Sequence, residues 1–154
     1  MKTIKVIFAL ISALILAVTL NAQAQSIPQM KESTSMYSIQ IILGEHIITG
    51  SLADTPSTRD FVKQLPLTLE FEDYGSTEKI AYPPARLTSQ GAPAGVNPTI
   101  GDIAYYAPWG NLALFYKDFG YSKGLIRLGH ITSGVEHLKF PGTKQATIKL
   151  ISND

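Results

Sequence analysis

Cysteine does not occur anywhere in the 154 residues. That excludes disulfide staples, thiolate nucleophiles and zinc centres built on thiolates, so a packed core has to supply the stability. It also excludes a lipoprotein-type cleavage, which needs a cysteine at the cut. Charge of one sign is lacking too: 13 Lys and Arg face 12 Asp and Glu. Setting aside Lys2 and Lys5 leaves 11 against 12. A chain this close to neutral has no electrostatic footprint for nucleic acid or anionic lipid, and neither is expected as a partner. Histidine is sparse, and His46, His130 and His137 show no H-x-x-x-H or carboxylate-assisted spacing, so no metal and no cofactor are expected. Arginine occurs only at Arg59, Arg86 and Arg127, and no internal repeat is present.

One long apolar run is present, at the start. Lys2 and Lys5 precede an almost wholly apolar stretch from Ile4 to Leu20, and Ala22-Gln23-Ala24 places small residues where a signal peptidase reads. The stretch has an apolar core of about 15 residues, short of the ~20 that a spanning helix needs. Residues 1–24 are therefore read as a signal peptide cut before Gln25, rather than as an uncleaved anchor. The mature chain is expected in the periplasm or the medium, without a membrane span. Residues 25–36, QSIPQMKESTSM, are polar and aperiodic and read as a flexible lead-in. The remainder, residues 37–154, is the right size for one core and too small for two.

That remainder alternates with a period of two. Tyr37, Ile39, Ile41 and Leu43 alternate with polar residues, Gly44-Glu45 forms a tight turn, and Ile47–Leu52 returns as the second strand of a hairpin. Leu67, Leu69 and Phe71 alternate with Thr68, Glu70 and Glu72, and Thr147–Leu150 alternates near the end. Ile39, Ile41, Leu69 and Phe71 are thus expected to face inward, and Glu70 and Glu72 to face solvent rather than form a catalytic carboxylate pair. Leu112–Tyr116 is apolar on both faces, as in a strand covered on both sides. Two short helices are expected. Thr55-Pro56 is an N-cap with proline at the first helical position, and Pro66 ends that helix. Ser133 with Glu136 three residues on is a capping box, with Val135 and Leu138 as the buried side. The segment from Tyr74 to Thr99 is rich in Gly, Pro and Ser, with one short strand over Lys79–Tyr82; loops of that length are usually functional or disordered.

The hairpin, TPSTRDFVKQLPLTLEFEDY, GDIAYYAPWGNLALFY and LIRLGHITSGVEHL occur in an order that resembles the bacterial cyclophilin-like family of small β-barrel proteins. The resemblance covers roughly residues 37 to 152. It implies a mainly β fold, a closed antiparallel barrel of about eight strands with two short helices at its ends, whose interior is filled by side chains or holds one small ligand. True cyclophilins isomerise peptidyl-prolyl bonds through an arginine set beside an aromatic-lined proline pocket. Their FxRxIxxFxxQGGD and SQFFI motifs are absent here, and none of the three arginines stands in a matching context. The resemblance carries the fold without the activity.

Several local patterns invite a chemical reading. Gly120-Tyr121-Ser122-Lys123-Gly124 spells G-x-S-x-G, but a nucleophile elbow works only on a strand-to-helix turn atop a parallel sheet, and a glycine-rich loop is the better reading. His46 and His137 read as surface residues. His130 alternates with Ile126 and Leu128, which places it on their face as a core or rim histidine. Trp109 sits in a turn between Pro108 and Gly110, where it either caps the barrel or is exposed for recognition. The function expected is a non-catalytic module that binds a small molecule, peptide or protein at the barrel mouth. Its surface would comprise Arg86, Trp109, Tyr116, Phe119, Tyr121, Ser122 and His130. The alternative is an isomerase using Arg86 and the aromatic rim. An enzyme requires an arginine or histidine directed into an apolar pocket, whereas a binder needs only a concave aromatic surface.

Overall fold

A computed structural model describes residues 36–151, so the segments read as signal peptide and, but for Met36, as lead-in lie outside the described residues. Ten strands alternate with one helix and one 3-10 turn: β1 (Met36–Leu43), β2 (His46–Ala53), α1 (Pro56–Val62), β3 (Leu67–Tyr74), β4 (Glu78–Ala81), β5 (Gly95–Val96), β6 (Asp102–Tyr106), β7 (Asn111–Phe115), β8 (Ser122–Lys123), β9 (Leu125–Ser133), the turn Val135–Leu138, and β10 (Lys144–Leu150). Eight of the strands close into a barrel in the order β1-β10-β3-β4-β7-β6-β9-β2, while β5 and β8 form a separate two-stranded ribbon. Every ladder is antiparallel. The first hairpin closes with Leu43 opposite His46 around a left-handed Gly44, as a two-residue turn led by glycine requires.

Alternate side chains point to opposite faces of a strand, and the barrel interior collects one set. Ile39, Ile41, Ile48, Leu52, Phe71, Ile103, Leu112 and Leu114 are buried in the main core. Leu69 packs against that core as expected but is only half-buried. Glu70 and Glu72 face solvent. Among the described residues no helix is long and apolar enough to cross a membrane.

Both barrel ends are closed. At one, α1 sets Phe61 against Leu87 and Tyr105 in the main core, and the Tyr105 hydroxyl accepts from Leu87 N at 3.2 Å. The first turn of α1 is capped as expected, with Thr58 N donating to Thr55 Oγ1 at 3.2 Å and Pro56 in the first turn, but the helix ends at Val62, well before Pro66. At the other end Lys79, 1% exposed, points inward. Its ammonium donates to Asp73 Oδ1 at 2.7 Å and to the Phe140 carbonyl at 2.5 Å, and lies 4.1 Å from the centre of the Phe140 ring. The Tyr116 hydroxyl donates to the same Asp73 oxygen at 2.6 Å.

The second helix forms at its expected place only as a 3-10 turn, Val135–Leu138, and its capping box does not form. Ser133 is still paired in the β9–β2 ladder, opposite Thr49, so its side chain is not placed to cap. The chain instead turns at Gly134, φ +86°, into a single 3-10 turn without a side-chain cap. A Cβ at Gly134 would lie 3.1 Å from the Ile47 carbonyl, which accounts for glycine at that corner. Leu138 is buried and Val135 partly so, as their spacing suggested.

Candidate functional site

Strand β7 is buried at every position. Its inward residues Leu112 and Leu114 belong to the barrel core, and its outward residues Ala113 and Phe115 belong to a second apolar cluster with Ile80, Ala104 and Leu125. The outer wall over β4, β7, β6 and β9 is therefore apolar. A groove of about 530 Å³ opens on it, within the range usual for small-molecule sites. Ile80, Ala113, Phe115 and Leu125 floor it; Tyr74, Tyr106 and Trp109 form one side, and Phe119 and Ser122 also line it.

The aromatic side is built by the β6–β7 hairpin. Gly110, φ +80°, closes the turn and its N–H donates to the Tyr106 carbonyl at 2.8 Å. Arg86 Nη1 holds the same turn by donating to the Ala107 carbonyl at 3.0 Å. Trp109 is thereby set at right angles to two rings, with centroids 5.4 Å from Tyr74 (87° between planes) and 5.4 Å from Tyr106 (80°). Edge-to-face contacts of this kind are favourable and leave part of each ring free for a ligand. Trp109 remains 49% exposed and Tyr74 45%.

Two polar groups mark the groove. Glu78, opposite Phe115 in the β4–β7 ladder, is half-buried. Burial pushes its carboxyl above the ordinary 4.5, and the nearby charge of Asp73 adds to this, against a hydrogen bond from Thr77 Oγ1. Asn111 is 2% exposed. Its amide Nδ2 donates to the Leu112 carbonyl at 3.0 Å, which fixes the orientation of the group and leaves Oδ1 buried without a partner.

A second constellation lies outside the groove. Asp102, 3% exposed, accepts from Arg127 Nε at 2.8 Å and Thr99 N at 2.9 Å, and stands 3.2 Å from His130 Nδ1. Burial alone would raise its carboxyl; the Thr99 N–H, Arg127 and His130 outweigh it and hold the group below the ordinary 3.8. His130 is not on the face of Ile126 and Leu128. The ladder slips at Ile103/Ala104, leaving Leu128 as an extra residue in β9, and the alternation reverses beyond it. Ile131 turns inward and His130 outward, its side chain 55% exposed. On its other side β9 runs so close to β2 that a Cβ at Gly129 would lie 2.0 Å from the Ser51 carbonyl.

Of the seven residues read from the sequence, Trp109, Phe119 and Ser122 line the groove. Arg86 supports the turn beneath Trp109 without lining it. Tyr116, 7% exposed, belongs to the closed end with Asp73 and Lys79; burial first and Asp73 second push its hydroxyl up to about 12. Tyr121 is exposed beside the β5–β8 ribbon. The groove opens on the outer barrel wall rather than at a mouth. Ser122 lies in β8 and the chain continues into β9, so G-x-S-x-G is not a strand-to-helix elbow. His46 and His137 are stacked, centroids 4.0 Å apart, rather than separately solvated. Sequence reading missed Tyr74, Tyr106, Glu78 and Asn111 as groove residues. The available signal was Asn111 itself, the one polar residue in an otherwise apolar strand, NLALF. Among the described residues no group of three or more His, Asp or Glu is placed to hold a metal.

No curated protein matches the chain. A solved structure that resembles it is that of a hypothetical protein from Archaeoglobus fulgidus, 16% identical, with a TM-score of 0.58, covering 79% of this chain and all of that one. At that identity the likeness speaks to the fold. The family model described as the cyclophilin-like family matches residues 41–149, and with the closed eight-stranded barrel it establishes that the chain belongs to that family.

Proposed function

We propose that this is an exported, non-catalytic binding module that takes a small, largely apolar ligand in the groove on its outer barrel wall. The observation that carries the reading is the composition of that groove: an apolar floor and an aromatic side, with neither arginine nor histidine among the lining residues. Each arginine is engaged elsewhere, Arg59 with Asp54, Arg86 with the Ala107 carbonyl and Arg127 with Asp102. Proline isomerisation needs groups that bind the twisted transition state more tightly than either planar form. An apolar groove without a directed cation favours binding over acceleration. Export rests on the Lys2–Ala24 pattern.

Two measurements test the reading. In a coupled cis/trans assay on a proline peptide, micromolar protein should leave the rate at background; acceleration abolished by Arg86→Ala would sink it. The neutral dye Nile red should bind saturably at one site, with Trp109→Ala weakening it.

A further inference from the structure

Beside the hydroxyls of Thr77 and Ser122, two side chains of the groove offer acceptors. Asn111 Oδ1 is buried and unpartnered, while its Nδ2 is committed to the Leu112 carbonyl. Glu78 is half-buried, and no cationic side chain lines the groove to balance it. Neither atom gains from a carboxylate or phosphate; each gains from an N–H donor. The aromatic side has the same preference, since ring faces attract cations. Trp109 stands at right angles to both Tyr74 and Tyr106, and Tyr74 is the cross-strand partner of Glu78.

Resting on the binding reading above, we propose that the ligand is an elongated organic ammonium compound. Its ammonium group enters the Tyr74–Trp109 corner beside Glu78, and its apolar body lies over Ile80 and Ala113. The register gives its length. Glu78 is opposite Phe115, and Asn111 is four residues back along β7, so the two backbone positions are about 13 Å apart along the strand. One ammonium nitrogen cannot meet both.

Trp109 is the sole tryptophan, so its fluorescence reports on the groove alone. The probes are 4-phenylbutylamine, 4-phenylbutanol and 4-phenylbutyrate, which share a body and differ in the head group. The amine should quench Trp109 saturably and bind about tenfold or more tighter than the alcohol, with the carboxylate weakest. Glu78→Gln should cost the amine about tenfold and the alcohol far less, which closes the gap between them. If alcohol and amine bind equally, or Glu78→Gln leaves the amine unaffected, the cation preference is wrong and the apolar groove stands. If none of the three binds and Nile red does not either, both readings fail. If Nile red alone binds, only the ammonium proposal falls.

Discussion

If the barrel mouth is closed by the buried Lys79 and its partly exposed partner Asp73, then opening it should be expensive, and Lys79→Ala measures how expensive. The substitution deletes three methylene groups packed against Phe140, a transfer loss of about 2.4 kcal/mol at ~0.8 each. It also removes the donor to the Phe140 carbonyl and to Asp73. Against this, the unfavourable burial of the ammonium disappears, and Asp73, with its side chain 32% exposed, can turn to water. The net expectation is about 3 kcal/mol, at the low end of what breaking a buried pair costs. Lys79→Met keeps most of the stem and its contact with the ring, and should lose only about 1 kcal/mol. Urea unfolding followed by circular dichroism, with linear extrapolation, resolves that difference. The acid limb gives an independent readout. The hydrogen bond from Lys79, and after it that from Tyr116, hold the Asp73 carboxyl below its ordinary 3.8. A depressed folded value means stability that is present above the unfolded value and lost as pH falls through the folded one. Lys79→Met should flatten that acid loss. A cost below ~1 kcal/mol for Lys79→Ala, or equal costs for Ala and Met, would mean that this end of the barrel is wet, and the mouth would return as the ligand site.

Leu112→Ala, in the filled core, should cost ~2–5 kcal/mol in the same urea assay, while Leu69→Ala, half-buried, should cost about half as much; equal losses would mean that the inward faces are misassigned. Burial raises the Glu78 carboxyl above 4.5, so the folded state holds its proton more tightly and stability falls as pH rises from the unfolded value through the folded one. Glu78→Gln should remove that decline and stabilise the unliganded protein at neutral pH, and a variant less stable than wild type there would contradict the assignment. Intact-mass measurement of secreted protein should find a chain beginning near Gln25; protein retaining Met1–Leu20 in a membrane fraction would overturn the export proposal.

The fold was legible because its signals are local. Period-two alternation at Tyr37–Leu43, a glycine-led turn at Gly44 and a Thr-Pro helix start at Thr55 each fix a short piece of backbone, and each appears where the residues placed it. The misreadings share one cause, a long-range pairing that overrides a local pattern. Ser133-x-x-Glu136 is a valid capping box, but the ladder to Thr49 holds Ser133 extended and the helix never starts there. Strict alternation puts His130 beside Leu128, but one extra residue in β9 reverses the faces, and nothing in LIRLGHI announces a slip that is set by the register of β6.

The candidate site was half legible for a related reason. Trp109, Phe119 and Ser122 stand out as exposed aromatic and hydroxyl residues in turns and loops, whereas Glu78, Asn111 and Ile80 become neighbours only when β4 pairs with β7. The two-faced apolarity of Leu112–Tyr116 points to a covered outer wall as well as a core. A barrel strand whose inward set already fills the core needs no apolar outward set unless something covers the wall. The β5–β8 ribbon and the Trp109 turn cover only part of it. The uncovered remainder, rimmed by a desolvated carboxylate and an unpartnered amide oxygen, is the property that distinguishes this barrel from one that is merely stable.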